Sequence, residues 1–203
     1  MPGDLAAYKA VLVYIHRDMA ESTEEPLIAY ARNGGKLILL HHSISSFKRK
    51  STDWFPFLGV QLPAGERDEG GYKFYAPVSY EIVNLAAGHY ITSHDVRYDE
   101  IVPYVSSRTQ QKADLPGTKL SNTEVYVNHQ LSGERTILLG VKYQSPDGKT
   151  FMQDIGGWLK QTGKGVTIYL MPGHSIEDVN NPVYRQIVIN AVTYQRSDQT
   201  AAR

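Results

Sequence analysis

Seven histidines and no cysteine define the chemistry open to this chain. Most of the histidines close apolar runs of strand length. His16 follows Ala10-Val11-Leu12-Val13-Tyr14-Ile15, and His41-His42 follow Leu37-Ile38-Leu39-Leu40. His129 follows Glu124-Val125-Tyr126-Val127-Asn128, and His174 follows Val166-Thr167-Ile168-Tyr169-Leu170-Met171 and a Pro172-Gly173 turn. A neutral imidazole is both a general base near pH 7 and a metal ligand. Asp18, Asp99, Glu100 and Glu177 would add carboxylates. Adjacent residues on a strand point to opposite faces, so His41 and His42 meet one ligand only if the backbone turns between them. Of the two, His42 lies nearer the turn and is the expected site residue. No HExxH and no helical histidine pair four apart occurs, so spacing alone does not signal a metal. Ser43 sits where a nucleophile elbow would place a hydroxyl, but Gly-x-Ser-x-Gly is absent.

The elements that must position these groups alternate. Ala10–Ile15 and Lys36–Leu40 read as buried strands. Between them, Ser22-Thr23-Glu24-Glu25 has capping-box spacing with Pro26 in the first turn, and Asn33-Gly34-Gly35 gives a left-handed stop. Strand, helix, strand with short joints predicts parallel strands, whose ligands bind beyond the carboxyl ends. That rule puts His16 and His41-His42 on one edge. A short helix and packed aromatic loop are expected over Ser45 to Val60, and a strand over Tyr72 to Val83. Irregular or extended chain is expected around Gly88–Thr92 and Val96–Val105, and a polar surface excursion over Ser106 to Asn122. Arg135–Tyr143 and Phe151–Gln161 form a strand pair about Ser145-Pro146-Asp147-Gly148. Gly163-Lys164-Gly165 is a tight turn, Val166–Met171 the last buried strand, and Asn181-Pro182 caps the final helix. One domain over residues 1–196 with a flexible tail at 197–203 is the expected organisation. The aromatics Trp54, Phe55, Phe57, Tyr72, Phe74, Tyr75 and Trp158 read mainly as packing, with one or two able to stack on a sugar ring.

Composition narrows the partners. Lysine plus arginine number 21 and aspartate plus glutamate 21, so no basic excess draws nucleic acid or an anionic membrane. Without cysteine there is no disulfide framework, zinc–thiolate site or thiol nucleophile. No signal-peptide pattern or membrane-length apolar run appears, which leaves the compartment open.

Taken in order, the residues resemble the ThuA-like (trehalose utilisation) family, which has a class I glutamine amidotransferase-like fold. The resemblance rests on Asn33-Gly34-Gly35, Leu37-Ile38-Leu39-Leu40-His41-His42, His89-Tyr90-Ile91-Thr92, Tyr98-Asp99-Glu100, Trp158, Gly163-Lys164-Gly165, Gly173-His174 and the helix from Pro182. It implies an open, mostly parallel α/β sheet of flavodoxin-like type flanked by helices, with a β-rich insertion. The chain begins at what resembles the family's second strand, so the usual first strand–helix unit is expected to be lacking. A sheet edge left open would favour a homodimer. Where amidotransferases carry a cysteine this chain has His42-Ser43, so cysteine-dependent glutaminase chemistry is excluded.

The resemblance further implies work on, or binding of, a disaccharide, glycoside or keto sugar as a hydrolase, lyase or isomerase. The expected catalytic groups are His42, Glu100, His174 and His89. The expected substrate-binding groups are His16, His41, Ser43, His129 and Trp158. A divalent metal is no certain cofactor; if one binds, His42, Glu100 and His174 are its expected ligands. Two other readings stay open: a non-catalytic carbohydrate-binding or assembly module, and a metal-dependent hydrolase of another small molecule.

Overall fold

The computed structural model describes residues 4–196; the expected tail at 197–203 lies outside the described residues. In chain order the elements are β1 (Val11–Val13), α1 (Glu21–Arg32), β2 (Lys36–Leu40), α2 (Trp54–Leu58), β3 (Val60–Gln61), β4 (Lys73–Asn84), α3 (Tyr90–Ser93) and β5 (Glu100–Val105). There follow β6 (Lys112–Val127), β7 (Gln130–Leu131), β8 (Thr136–Gln144), β9 (Thr150–Thr162), β10 (Gly165–Leu170), α4 (Ile176–Asn180) and α5 (Pro182–Thr193). Short 3-10 turns cover His41–Ile44 and Ser46–Lys50.

Eight strands form one sheet in the order β1-β2-β10-β9-β8-β4-β6-β5. β1, β2 and β10 are parallel, the α/β core that the strand–helix–strand pattern predicts. The remaining five continue the same sheet antiparallel, so the β-rich insertion extends the core sheet rather than standing apart from it. Leu37, Ile38 and Leu39 are all fully buried. Since successive side chains point to opposite faces, the sheet is covered on both sides there. α1 packs over β2 and β10. Among the described residues no helix is long and apolar enough to cross a membrane.

Several local expectations shift. β1 is the edge strand, and its Leu12 side chain is exposed, so it is not buried on both faces. α1 begins at Glu21 with Ala20 as an uncapped N-cap; Ser22 is already inside the helix, and Pro26 lies beyond the first turn. Residues 106–122 are not a surface excursion. From Lys112 they build β6, paired with β4 on one side and β5 on the other, which gives this polar segment its backbone partners. Around His89 the chain turns into α3 instead of running extended, with the His89 imidazole accepting from the Ile91 amide as N-cap. The last helix starts as expected, Asn181 capping Val183 and Tyr184 with Pro182 first.

The Gly163-Lys164 turn brings β10 against the end of α1. A Cβ on Gly165 would lie 2.2 Å from the Gly35 carbonyl oxygen and 2.3 Å from that of Ala31, both backbone atoms that cannot swing aside. Gly165→Ala is therefore expected to destabilise the protein by about 2–3 kcal/mol through overpacking, read as a lower urea midpoint at unchanged slope.

Candidate functional site

The carboxyl end of β2 is a sharp turn. His41 has φ +38°, a left-handed conformation uncommon for a residue with a Cβ, and a 3-10 turn follows at once. This turn lets both imidazoles of the pair reach one place, where a straight strand would have sent them apart. Their ring centroids are 4.3 Å apart. Three bonds hold the turn. Ser43 Oγ donates to the Val13 carbonyl at 2.7 Å, Trp54 Nε1 donates to the Ser43 carbonyl at 2.9 Å, and Tyr169 Oη donates to the His41 carbonyl at 3.4 Å. Ser43 is thus a buried strut between β1 and the turn rather than a substrate contact.

β10 delivers His174, whose ring lies 5.2 Å from His41 and 5.3 Å from His42. The chain leaving β1 adds His16, stacked on His42 at 4.3 Å. The carboxylate comes from β6. Glu124 Oε1 is 3.2 Å from His41 Nε2 and 3.7 Å from His42 Nδ1, and its Oε2 is 3.9 Å from His174 Nδ1. One ligand atom from each of His41, His42, Glu124 and His174 falls within 4.8 Å of all the others. Two residues on, and on the same face of β6, Tyr126 stacks on His41 at 4.7 Å and its hydroxyl lies 2.9 Å from His42 Nδ1.

Proton positions follow from the partners. Met171 offers His41 Nδ1 a carbonyl oxygen at 2.6 Å, which only accepts, so Nδ1 carries the proton. In the neutral ring Nε2 is then a lone pair facing a carboxylate oxygen. Two acceptors at 3.2 Å require a shared proton or a cation between them. Burial alone would raise the Glu124 carboxyl, but its hydrogen bonds with His41 and Tyr126 and the charges of His41 and His42 outweigh it, so the group sits below the ordinary glutamate range. His42 is pushed down to about 3, mainly by burial and then by His41, with Glu124 opposing. His174 is lowered by burial, again against Glu124. Burial, helped by Glu124 and Tyr169, keeps the Tyr126 phenol far above its usual range.

Asp178 on α4 registers two of these groups at once. Its Oδ2 accepts from Thr123 Oγ1 at 2.6 Å and from the Gly173 and His174 amides at 2.9 Å each. It therefore fixes the neighbours of Glu124 and the backbone of His174 together.

Of the expected site residues, the structure brings together His42, His174, His41 and His16. It separates the others. Glu100 is exposed at the start of β5, opposite Gly117. Seven steps along β6 separate that position from Glu124, about 23 Å of strand. The carboxylate of the cluster is Glu124, so Glu100 is not available as a catalytic group or ligand there. His89 caps α3 and stacks on Tyr194. Tyr194 lies at the far end of α5 from Tyr184, which meets the Pro172 carbonyl, and those ten residues span about 15 Å of helix. Trp158 is fully buried under Arg135, so it is core and not a sugar platform.

His129 lies behind Tyr126, stacked on Tyr72 at 5.4 Å, with neither ring nitrogen hydrogen-bonded. Burial lowers it to about 3. Because the unfolded value is higher, the unfolded chain takes up the proton first as pH falls below 6.5, and stability is lost across the window from 6.5 towards 3. At pH 5 this one group costs about 2 kcal/mol. His129→Phe, which keeps a ring against Tyr72, is expected to show a smaller loss between pH 7 and pH 5 in urea titrations.

No family model matches the sequence, and no curated protein matches it either. Solved structures do match in shape. A ThuA-like protein from Parabacteroides merdae aligns over 93% of this chain and 70% of its own, with TM-score 0.64 and 13% identity. One from Bacteroides uniformis aligns over 91% and 67%, with TM-score 0.56 and 16% identity. A cold-adapted β-galactosidase from Rahnella sp. R3 aligns over 97% of this chain but 24% of its own, with TM-score 0.58 and 13% identity. At such identities the likeness speaks to architecture, and the architecture it gives this chain is the α/β fold of the ThuA-like proteins.

Proposed function

We propose that the protein is a ThuA-like carbohydrate-active protein that binds a disaccharide, glycoside or keto sugar at the carboxyl edge of β1, β2 and β10 and moves protons there. The observation that carries this reading is the 3.2 Å approach of His41 Nε2 to Glu124 Oε1, a pair built to hold one proton between two acceptors. Such a pair takes a proton from a carbon next to a carbonyl, or returns one to a departing glycosidic oxygen. His42, kept neutral, hydrogen-bonds the Tyr126 hydroxyl and holds it beside the pair. His174, half-exposed, faces the substrate side.

The same residues fit a divalent cation. Three imidazoles and one carboxylate are an ordinary donor set for one, and His174 Nδ1 is buried with no hydrogen-bond partner. His41, His42, His174 and Glu124 would hold it. Bound there, it would act as a Lewis acid on a sugar carbonyl or hydroxyl.

The test is metal analysis of the purified protein together with titration and turnover assays on trehalose, simple glucosides and their 3-keto forms. Turnover that is lost in His42→Ala supports the proposal. Sugar binding without turnover would leave a carbohydrate-binding or assembly module. Tight metal without sugar binding would point to a hydrolase of another small molecule.

A further inference from the structure

The turn after the histidine pair is inside out. Over Ser46–Lys50 the chain buries Lys48 at 0% exposure and leaves Phe47 at 53%. A lysine is almost never fully buried, and a large aromatic ring gains by leaving water, so both choices run against transfer free energy. The lysine's position has a local reason, since its ammonium donates to the Ile15 carbonyl two residues past β1. That bond ties the chain carrying Tyr14 and His16 to the turn carrying Phe47.

What surrounds Phe47 supplies the reason. Its ring meets His16 edge-on at 6.2 Å, His16 stacks on His42 at 4.3 Å, and Tyr14 meets His42 edge-on at 5.5 Å. Tyr14 is itself 49% exposed. Two solvent-facing aromatic rings therefore border a floor of imidazoles, with the buried Glu124 behind it. Apolar faces at the rim with hydrogen-bonding groups at the base suit a ring that has C–H faces and a belt of hydroxyls.

We propose that Phe47 and Tyr14 are the aromatic walls of a pyranose-binding subsite over the His16–His42 floor. The inference rests on the carbohydrate reading above and names the residues that seat the sugar. The ring's axial C–H face lies on Phe47 or Tyr14, and its hydroxyls reach the imidazoles of the floor. Lys48 is a positioning residue that keeps the two walls in register.

The probes are methyl β-D-glucopyranoside and trehalose, with binding measured by calorimetry and saturation-transfer NMR on the native protein and on Phe47→Ala, Tyr14→Ala, Phe47→Trp and Tyr14→Phe. Both positions are exposed, so the variants are expected to fold as the parent does. Each alanine variant should weaken binding by roughly fivefold or more, the scale of one aromatic face contact. Phe47→Trp and Tyr14→Phe, which keep the faces, should lose less than the alanine variants at the same positions. If the parent binds sugar and both alanine variants bind it equally well, the subsite is overturned while the carbohydrate reading stands. If the parent binds neither sugar, both fail together.

Discussion

If the proposed proton transfer operates, Glu124→Gln is expected to lower turnover by roughly a thousandfold, the middle of the range for loss of a positioned acid–base group. The amide is nearly isosteric and keeps an oxygen, but it cannot share a proton with His41 Nε2 at 3.2 Å or hold charge among three imidazoles. Cation affinity should fall with it, because a carboxamide is a poor ligand beside a carboxylate. Glu100→Gln is the control and should behave as the parent protein, since that side chain is exposed at the start of β5, opposite Gly117 and outside the cluster. Steady-state kinetics and a metal titration on the two variants check both statements.

Asp178→Ala is expected to act through the fold as well as the site. It removes an acceptor used by Thr123 Oγ1 and by the Gly173 and His174 amides, from a side chain at 0% exposure. Hydrogen bonds to a charged group contribute about 1.5–3 kcal/mol each and are not additive, so a loss of at least about 3 kcal/mol is expected in urea unfolding. Asp178→Asn keeps one oxygen and should lose less. In Asp178→Ala the His174 amide loses its acceptor, and in Asp178→Asn it keeps a weaker, neutral one. Substrate or cation affinity should therefore drop by roughly tenfold to a hundredfold, the usual consequence of losing an outer partner of a ligand. The two readouts separate the roles: a variant that loses stability but keeps full affinity would make Asp178 a structural residue alone.

The strand-end histidines were legible because each sits where an apolar run stops, and β1, β2 and β10 carry their ends to one edge. What spacing could not show was the direction of each side chain. The φ of +38° at His41 is the backbone turn on which a meeting of the pair depended. Such a turn has no sequence signature without glycine, asparagine or aspartate at the position. Glu124 was harder still. It lies in a run read for its apolar character, and only its alternation with Tyr126 marks one face of β6 as polar. Glu100 attracted notice through family likeness, while its exposure at the sheet's edge depends on strand order. That order followed from residues 106–122 joining the sheet, which their polar composition concealed. Phe47 and Lys48 show the same limit in miniature: exposure cannot be read from residue type where the fold inverts it.

Long-range ¹H–¹⁵N spectra of the imidazoles during a titration with trehalose or its 3-keto form test the central claim most directly. The account predicts that the His41, His42 and His174 ring signals shift together and saturably, while those of His89 and His129 stay in place. Shifts confined to His89, or saturable sugar binding that leaves all three cluster histidines unmoved, would contradict it.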